Sequence, residues 1–342
     1  MERFNQSFSI GDRKVGKNYP VYIIAEAGVA HFGNIDKAYR LVDLAAEAGV
    51  DAVKFQIFDI NALISESSAE WRTRLGSRCL PYDDFRKIQS YCNERNITFF
   101  ATAHDEPSLT YLDGLNVPAY KIGSGELENW PYLAKIAERG KPVIFSTGMF
   151  SMNQVETALN VMAATGNRDI AVLHCVTSYP SNPADVNLFA IEALHDKFNT
   201  ITGYSDHTQG IHFPIAAVAR GACIIEKHIS LDFNIPDAQD WKVSCGPKDL
   251  HLLVQQIREI EIGLGIRDKK PSENELKNLA WARKSLVAKV NIKANETITA
   301  EKLTSKRPGT GIPPSEIDSV IGKRVTTNIA KDTVLYWEHL SE

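Results

Sequence analysis

Eight short runs rich in Val, Ile, Phe and Tyr recur along the first 230 residues, at positions 21–27, 51–57, 97–102, 119–123, 142–147, 170–175, 200–205 and 222–228. Each is apolar on both faces, as a strand buried between layers must be. Between them lie longer stretches with apolar residues at helical spacing, such as 36–49, 81–95, 151–166 and 246–265, several of which close on glycine. Strand and helix alternating at this repeat length predict a parallel sheet. Eight units within about 265 residues predict an α/β fold of the closed (β/α)8 TIM-barrel type. An open doubly wound sheet would carry a glycine-rich nucleotide turn after its first strand, and none is present.

The pattern breaks at Arg267, where RDKKPSENELKNLAWAR is charged and interrupted by proline. The chain therefore divides into a barrel domain over 1–267, a linker over 268–284 and a small β-rich domain over 285–342. In the last part β-type runs SLVAKVNI, RVTTNIA and TVLYWEHL flank a turn-rich KRPGTGIPPSE, and about 58 residues give only a thin core.

Composition narrows the class of ligand. With 38 basic against 42 acidic side chains the net charge is -4, so neither nucleic acid nor an anionic membrane is an expected partner. The N-terminal stretch is polar and broken by glycine, no apolar run approaches the roughly 20 residues a membrane span needs, and a cytoplasmic location is expected. Cys79, Cys92, Cys175, Cys223 and Cys245 have neither paired nor CxxC spacing and read as reduced, small core residues.

In a barrel of this kind the C-terminal ends of the strands form the reactive face. Those ends carry Glu26, Lys54, Gln56, Thr102, Lys121, Ser124, Glu126, Ser146, Thr147, His174, Ser205, Asp206, His207, Glu226 and His228. A lysine inside an apolar strand is costly unless an anion compensates it. Lys54 and Lys121 reach one rim beside hydroxyl donors, which suits a ligand bearing phosphate and carboxylate. His207 follows the seventh strand and His228 ends the eighth, so two imidazoles face a shared point and suit a divalent metal with open positions for water and substrate. Asp206 and Glu226 are expected to orient them.

The strings IAEAGVAHFGN, DAVKFQ, PAYKIGSGE, STGM, HCVTSYP, GYSDHTQG and EKHIS, in this order, resemble the sialic acid synthase family, and KRPGTGI with its surroundings is similar to the antifreeze-like (SAF, β-clip) domain of those synthases. The resemblance covers nearly the whole chain. It implies condensation of phosphoenolpyruvate with an open-chain amino-sugar aldehyde of the N-acetylmannosamine type, assisted by Mn2+ or Mg2+, with release of phosphate. It implies His207 and His228 as metal ligands, and Lys54, Thr102, Lys121, Ser124, Thr177, Tyr179 and Ser205 as phosphoenolpyruvate contacts. Glu26 takes the place of the family's early glutamate and joins the two histidines as catalytic, while Gln56, Glu126, Asp240 and Arg307 fall to the sugar. The family forms domain-swapped homodimers in which an arginine matching Arg307 reaches the partner's barrel.

Two departures bear on the substrate. Thr177 stands where many relatives have Asn, and a hydroxyl replaces only part of an amide's hydrogen bonding. In PDAQDWKVS, Asp240 is kept but Trp241 and Lys242 are not the usual residues; they either stack on and bind a substituted sugar or close a loop. The aldehyde is open among N-acetylmannosamine, its 6-phosphate and a diacetamido-trideoxyhexose leading to legionaminic or pseudaminic acid. Two rival readings are a Schiff-base aldolase using Lys121 or Lys227, and a non-enzymatic binding protein. An ice-facing surface would be little charged, whereas the C-terminal part carries Lys302, Lys306, Arg307, Lys323 and Arg324.

Overall fold

The structure is a computed structural model that describes residues 4–236 and 238–341. It falls into two compact units, Met1–Gly265 and Ile266–Glu342.

The first unit opens with an antiparallel hairpin, β1 (Ser7–Ile10) and β2 (Arg13–Gly16), turned at Gly11 with φ +57°. The sequence pattern marks no strand in this polar, glycine-broken segment. Phe8, Ile10 and Val15 nevertheless alternate with polar residues and bury one face into the main core, the period-2 signal in its shortest form.

The expected barrel follows. Its strands are β3 (Tyr22–Gly28), β4 (Ala52–Ile57), β5 (Thr98–Ala103), β6 (Tyr120–Ile122), β7 (Val143–Ser146), β8 (Ile170–Cys175), β9 (Ile201–Asp206) and β10 (Ile224–His228). All pair in parallel in chain order, and β10 closes the cylinder on β3. The crossover helices form for local reasons as well as by packing. Helix Ile35–Ala48 starts at Asn34, whose side chain accepts from Lys37 N–H, and stops at Gly49 with φ +77°, while Leu41, Val42 and Ala45 face the core. Such a side-chain cap contributes about 1 kcal/mol. The longest helix, Pro247–Leu264, opens on proline, whose missing N–H is no loss in the first turn.

Strand pairing is what builds the reactive face. Side chains at paired positions of a parallel sheet stand side by side on the same surface. Register sets His228 beside Glu26, Glu26 beside Lys54, Gln56 beside Thr102, Thr102 beside Lys121, and Glu226 beside Ser205. Among the described residues no helix is long and apolar enough to cross a membrane.

In the second unit, helices Glu273–Lys277 and Leu279–Ala282 lead to a two-stranded antiparallel pair, β11 (Ser285–Ala288) and β12 (Leu303–Lys306). The runs RVTTNIA and TVLYWEHL, expected as strands, join by single bridges instead, Ile292 to Ile329, Val287 to Val334 and Val325 to Leu340. Turns at Asn295 and Asp332, with φ +65° and +74°, keep the chain from running straight long enough to extend a ladder. A small core of Leu286, Ile292, Ile298, Val320, Val325 and Leu335 holds this unit.

Candidate active site

The inward positions of all eight barrel strands and the loops after them line one cavity at the C-terminal mouth. Its walls include Glu26, Lys54, Gln56, Thr102, His104, Lys121, Ser124, Ser146, Cys175, Tyr179, Ser205, His207, Glu226 and His228.

At the floor Lys54 Nζ lies 2.7 Å from Glu26 Oε2 and donates to Thr102 Oγ1 at 3.1 Å. Gln56 Nε2 donates to Glu26 Oε1 at 2.9 Å. Gly28, with φ +51°, lies against both: a Cβ there would come within 3.3 Å of the Glu26 carboxylate and 3.4 Å of Gln56 Nε2. Glu226 bridges the two cations, 3.8 Å from Lys54 and 3.7 Å from Lys121, and its Oε1 accepts from Ser205 Oγ at 3.0 Å. Its Oε2 accepts no hydrogen bond. Lys121 Nζ donates to Ser146 Oγ at 2.7 Å and to Ile122 O at 3.1 Å.

These contacts decide the charge states. Burial works against the Lys54 ammonium, yet Glu226 and Glu26 outweigh it and hold its pKa above the ordinary lysine value. For Lys121 burial wins, the neighbouring Lys54 adds to it, and its pKa falls below the usual range despite Glu226. Burial alone would raise the Glu226 carboxyl, but Lys121, Lys54 and His228 together keep it ionised, well below the usual carboxylate range. Two lysines and two carboxylates thus share a cavity in which all four are buried, with hydroxyl donors around them, an arrangement that an incoming oxyanion can reorganise by taking the lysines from their carboxylates.

The two imidazoles face each other across the rim with ring centroids 5.3 Å apart. His207 Nδ1 lies 2.7 Å from Val176 O and so carries its proton there, leaving Nε2 as an acceptor for the Tyr179 hydroxyl at 2.9 Å. Burial, with the His228 charge adding to it, lowers the His207 pKa to about 3. A neutral ring with a lone pair aimed into the mouth is the metal-binding form. Among the described residues no group of three or more His, Cys, Asp or Glu side chains gathers to hold a metal; an ion bound here would have the two imidazoles as its protein donors and open positions beside them. That set fits an ion completing its shell from water and substrate.

Several expected residues stand elsewhere. Thr177 lies behind Ser124, the two hydroxyls 2.9 Å apart. Gly148, at φ +43°, makes that approach possible, since a Cβ would run into Ser124 Cβ and Thr177 Oγ1. Glu126 turns from the cavity to accept from Asn129 Nδ2 at 2.7 Å. Asp240 sits in a 3-10 turn, Asp240–Val243, outside the cavity wall, although its charge is one of those that raise the Tyr179 pKa after burial. Arg307 belongs to the second unit, where Nε donates to Ala282 O at 3.0 Å and the guanidinium lies over the Trp281 ring at 5.3 Å. Trp241 Nε1 donates to Ile235 O at 3.0 Å and Lys242 lies over its ring, which supports loop closure.

Strand alternation removes three rim residues. His174 Nε2 pairs with Val186 O at 2.6 Å, Thr147 donates to Leu173 O, and Asp206 pairs with Lys227 on the far side of the wall. Asp206 therefore orients neither histidine. Lys227, a candidate Schiff-base lysine, is fully buried in that outer layer and cannot meet a carbonyl in the mouth. Reasoning from sequence missed His104 and treated Cys175 as core filler. His104 shares parity with the recognised Thr102, which was the available signal, whereas Cys175 has the opposite parity to His174, the residue of β8 that the sequence singled out.

A mouth of this kind belongs to an enzyme that handles a small, multiply anionic substrate on a TIM barrel. The chain matches the NeuB family over residues 41–269 and the SAF domain over residues 283–341, and it belongs to the NeuB family with a C-terminal SAF domain. It is 40% identical over 328 residues to the N,N'-diacetyllegionaminic acid synthase of Campylobacter jejuni, covering 92% of this chain and 98% of that protein. It is 35% identical to the N-acetylneuraminate-9-phosphate synthase of Homo sapiens, covering 95% of this chain and 94% of that one. The crystal structure of N-acetylneuraminic acid synthetase from Leptospira borgpetersenii superposes with a TM-score of 0.74 at 36% identity, covering 80% of this chain and 95% of that one. The chain is a phosphoenolpyruvate-dependent nonulosonic acid synthase, a transferase that forms a carbon–carbon bond.

Proposed function

We propose that this synthase condenses phosphoenolpyruvate with an unphosphorylated diacetamido-trideoxyhexose aldehyde, giving a nonulosonic acid of the legionaminic type. The observation that carries the synthase chemistry is the convergence of Lys54, Lys121, Glu26, Glu226 and the imidazoles of His207 and His228 on one cavity. The greater similarity to the legionaminic acid synthase than to the human N-acetylneuraminate-9-phosphate synthase, 40% against 35%, supports the choice of aldehyde.

In this reading Lys54 and Lys121 leave Glu26 and Glu226 to hold the carboxylate and phosphate, with Thr102, Ser124, Ser146 and Ser205 supplying neutral hydrogen bonds. Fixing both ends of the enol aligns its nucleophilic carbon with the aldehyde. His207 and His228 would hold a divalent ion, Mn2+ or Mg2+, whose chemistry when bound is Lewis-acid polarisation of the aldehyde carbonyl. Glu26, released from Lys54 and steadied by Gln56, orients the water that adds to the enol-derived carbon and takes its proton. As the carbon–oxygen bond to phosphate breaks, the two ammonium groups compensate the growing charge on the leaving group.

Arg307, with its guanidinium on the SAF side of the chain, would contact the sugar of a partner barrel in a domain-swapped homodimer. Mixing Arg307→Ala with His228→Ala chains would then restore part of the turnover, whereas no rescue would assign Arg307 a role within its own chain.

The test of the activity is a panel of three aldehydes, N-acetylmannosamine, its 6-phosphate and the diacetamido-trideoxyhexose, each with phosphoenolpyruvate and Mn2+, read by phosphate release and product mass. The last sugar should give the highest kcat/KM, and EDTA should abolish turnover. A preference for either other sugar refutes the choice of aldehyde; phosphate release with none of them refutes the synthase reading.

A further inference from the structure

One ionisable side chain in the mouth has no task in the scheme above. His104 follows the last residue of β5 and, two positions beyond Thr102, faces the same way. Its ring packs edge-on against Phe58, centroids 6.3 Å apart at 67°. Across from it Gly123 presents no side chain, and a Cβ there would stand 4.0 Å from His104 Cε1 and 4.0 Å from Thr102 Cγ2. The imidazole edge is thereby left open to the cavity. Neither ring nitrogen hydrogen-bonds another described residue, although both lysines lie near enough to act on the ring's charge.

Burial first, then Lys54 and Lys121, hold the His104 pKa down to about 4, so the ring is neutral near pH 7 and offers one N–H and one lone pair. Packing against Phe58 would be served as well by a second phenyl ring. A counter-ion role is excluded by the absence of any carboxylate acting on it. What remains is a hydrogen bond to a ligand. In a cavity shared with two ammonium groups the ligand atom expected in reach is an anionic oxygen, and a neutral donor adds a directed bond there without adding a third cation that Lys54 and Lys121 would repel.

We propose that His104 donates its ring N–H to an oxyanion of the phosphorylated three-carbon acid and so sets affinity for that substrate and not for the sugar. The proposal rests on the synthase reading above. It is tested in the full-length enzyme with His104→Phe, which keeps a ring against Phe58, and with His104→Asn, which keeps a donor on a shorter arm. KM is measured separately for phosphoenolpyruvate and aldehyde, and inhibition by inorganic phosphate and by pyruvate is titrated.

His104→Phe should raise KM for phosphoenolpyruvate about tenfold with the aldehyde KM unchanged, and His104→Asn should raise it less. Weaker inhibition by inorganic phosphate places the contact at the phosphate end, and weaker inhibition by pyruvate places it at the carboxylate end. An unchanged KM for phosphoenolpyruvate in both variants, or a change confined to the aldehyde, overturns the proposal while the wild-type synthase stands. A wild-type protein that releases no phosphate removes the synthase reading and this proposal with it.

Discussion

Two sets of buried charges stand on opposite faces of the wall formed by β9 and β10. On the outer face Lys227 Nζ meets Asp206 Oδ2 at 2.5 Å, and each group is otherwise satisfied: Lys227 donates to Thr208 O, and Asp206 accepts from the Tyr204 hydroxyl and Thr208 N–H. One cation and one anion close the account there. On the inner face Glu226 is shared by Lys54 and Lys121 at 3.8 and 3.7 Å, and among the described residues its Oε2 accepts no hydrogen bond and neither ring nitrogen of His104 makes one. The ion pairs are buried on both faces; among the described residues the charged groups with unused hydrogen-bonding capacity are on the inner face, while beside the outer pair only the neutral Thr208 hydroxyl lacks a partner. A saturated pair holds a wall together, whereas an under-satisfied cluster is arranged for something that arrives later.

Lys121→Met is the strongest way to break this contrast. It removes a charge the reaction needs, while Glu226 keeps Lys54 as counter-ion, so the fold loses little. Phosphate release should fall at least a thousandfold, about 4 kcal/mol of transition-state stabilisation, and the urea midpoint should move little. Activity within tenfold of wild type would show that the inner cluster is structural after all. Lys227→Met should do the reverse. It strands Asp206 without a cation and should cost about 3 kcal/mol of stability, with kcat of the folded protein nearly unchanged. Adding Asp206→Leu should recover much of that stability, because an apolar pair replaces an ion pair. A Lys227→Met enzyme that is stable but inactive would mean that the outer pair acts on the mouth through the wall.

The barrel was legible because its strands are buried on both faces and read as continuous apolar runs, and the wide spacing between them left room only for crossover helices. Lys54, Lys121, Glu226 and His228 stood out because each is polar inside such a run. What the sequence could not supply was direction. Asp206 and Ser205 are neighbours in sequence, yet pleating sends one outward to Lys227 and the other to Glu226. His174 was assigned to the rim for the same reason, while Cys175 beside it faces inward. Parity along β5 would have found His104, but it lies beyond the apolar run that marked the strand. The N-terminal hairpin was hidden by its length, since four residues hold only two turns of alternation.

The contrast between satisfied and unsatisfied groups extends to the imidazoles and yields the smallest expected effect. His31 is buried outside the mouth, beside Phe55, with Nδ1 accepting from Gly33 N–H at 3.1 Å and Nε2 without a partner. Burial lowers its pKa to about 4 from 6.5. In the unfolded chain the same ring takes up a proton near pH 6.5, so below that value the unfolded state binds more protons than the native one. The stability that His31 contributes by staying neutral is therefore present above pH 6.5 and is lost as pH falls toward 4. His104 and His207 act in the same direction, with pKa values of about 4 and about 3, so a variant lacking only His31 keeps part of the acid sensitivity. His31→Leu should lose about 1 kcal/mol less than wild type between about pH 7 and about pH 5.5, measured by urea unfolding at each pH. Loss of the Gly33 hydrogen bond shifts the whole curve and leaves its slope alone, so the slope isolates the proton. Parallel curves for the two proteins would show that His31 is already protonated in the native state or reaches water, and that an unpartnered nitrogen away from the mouth carries no titration penalty.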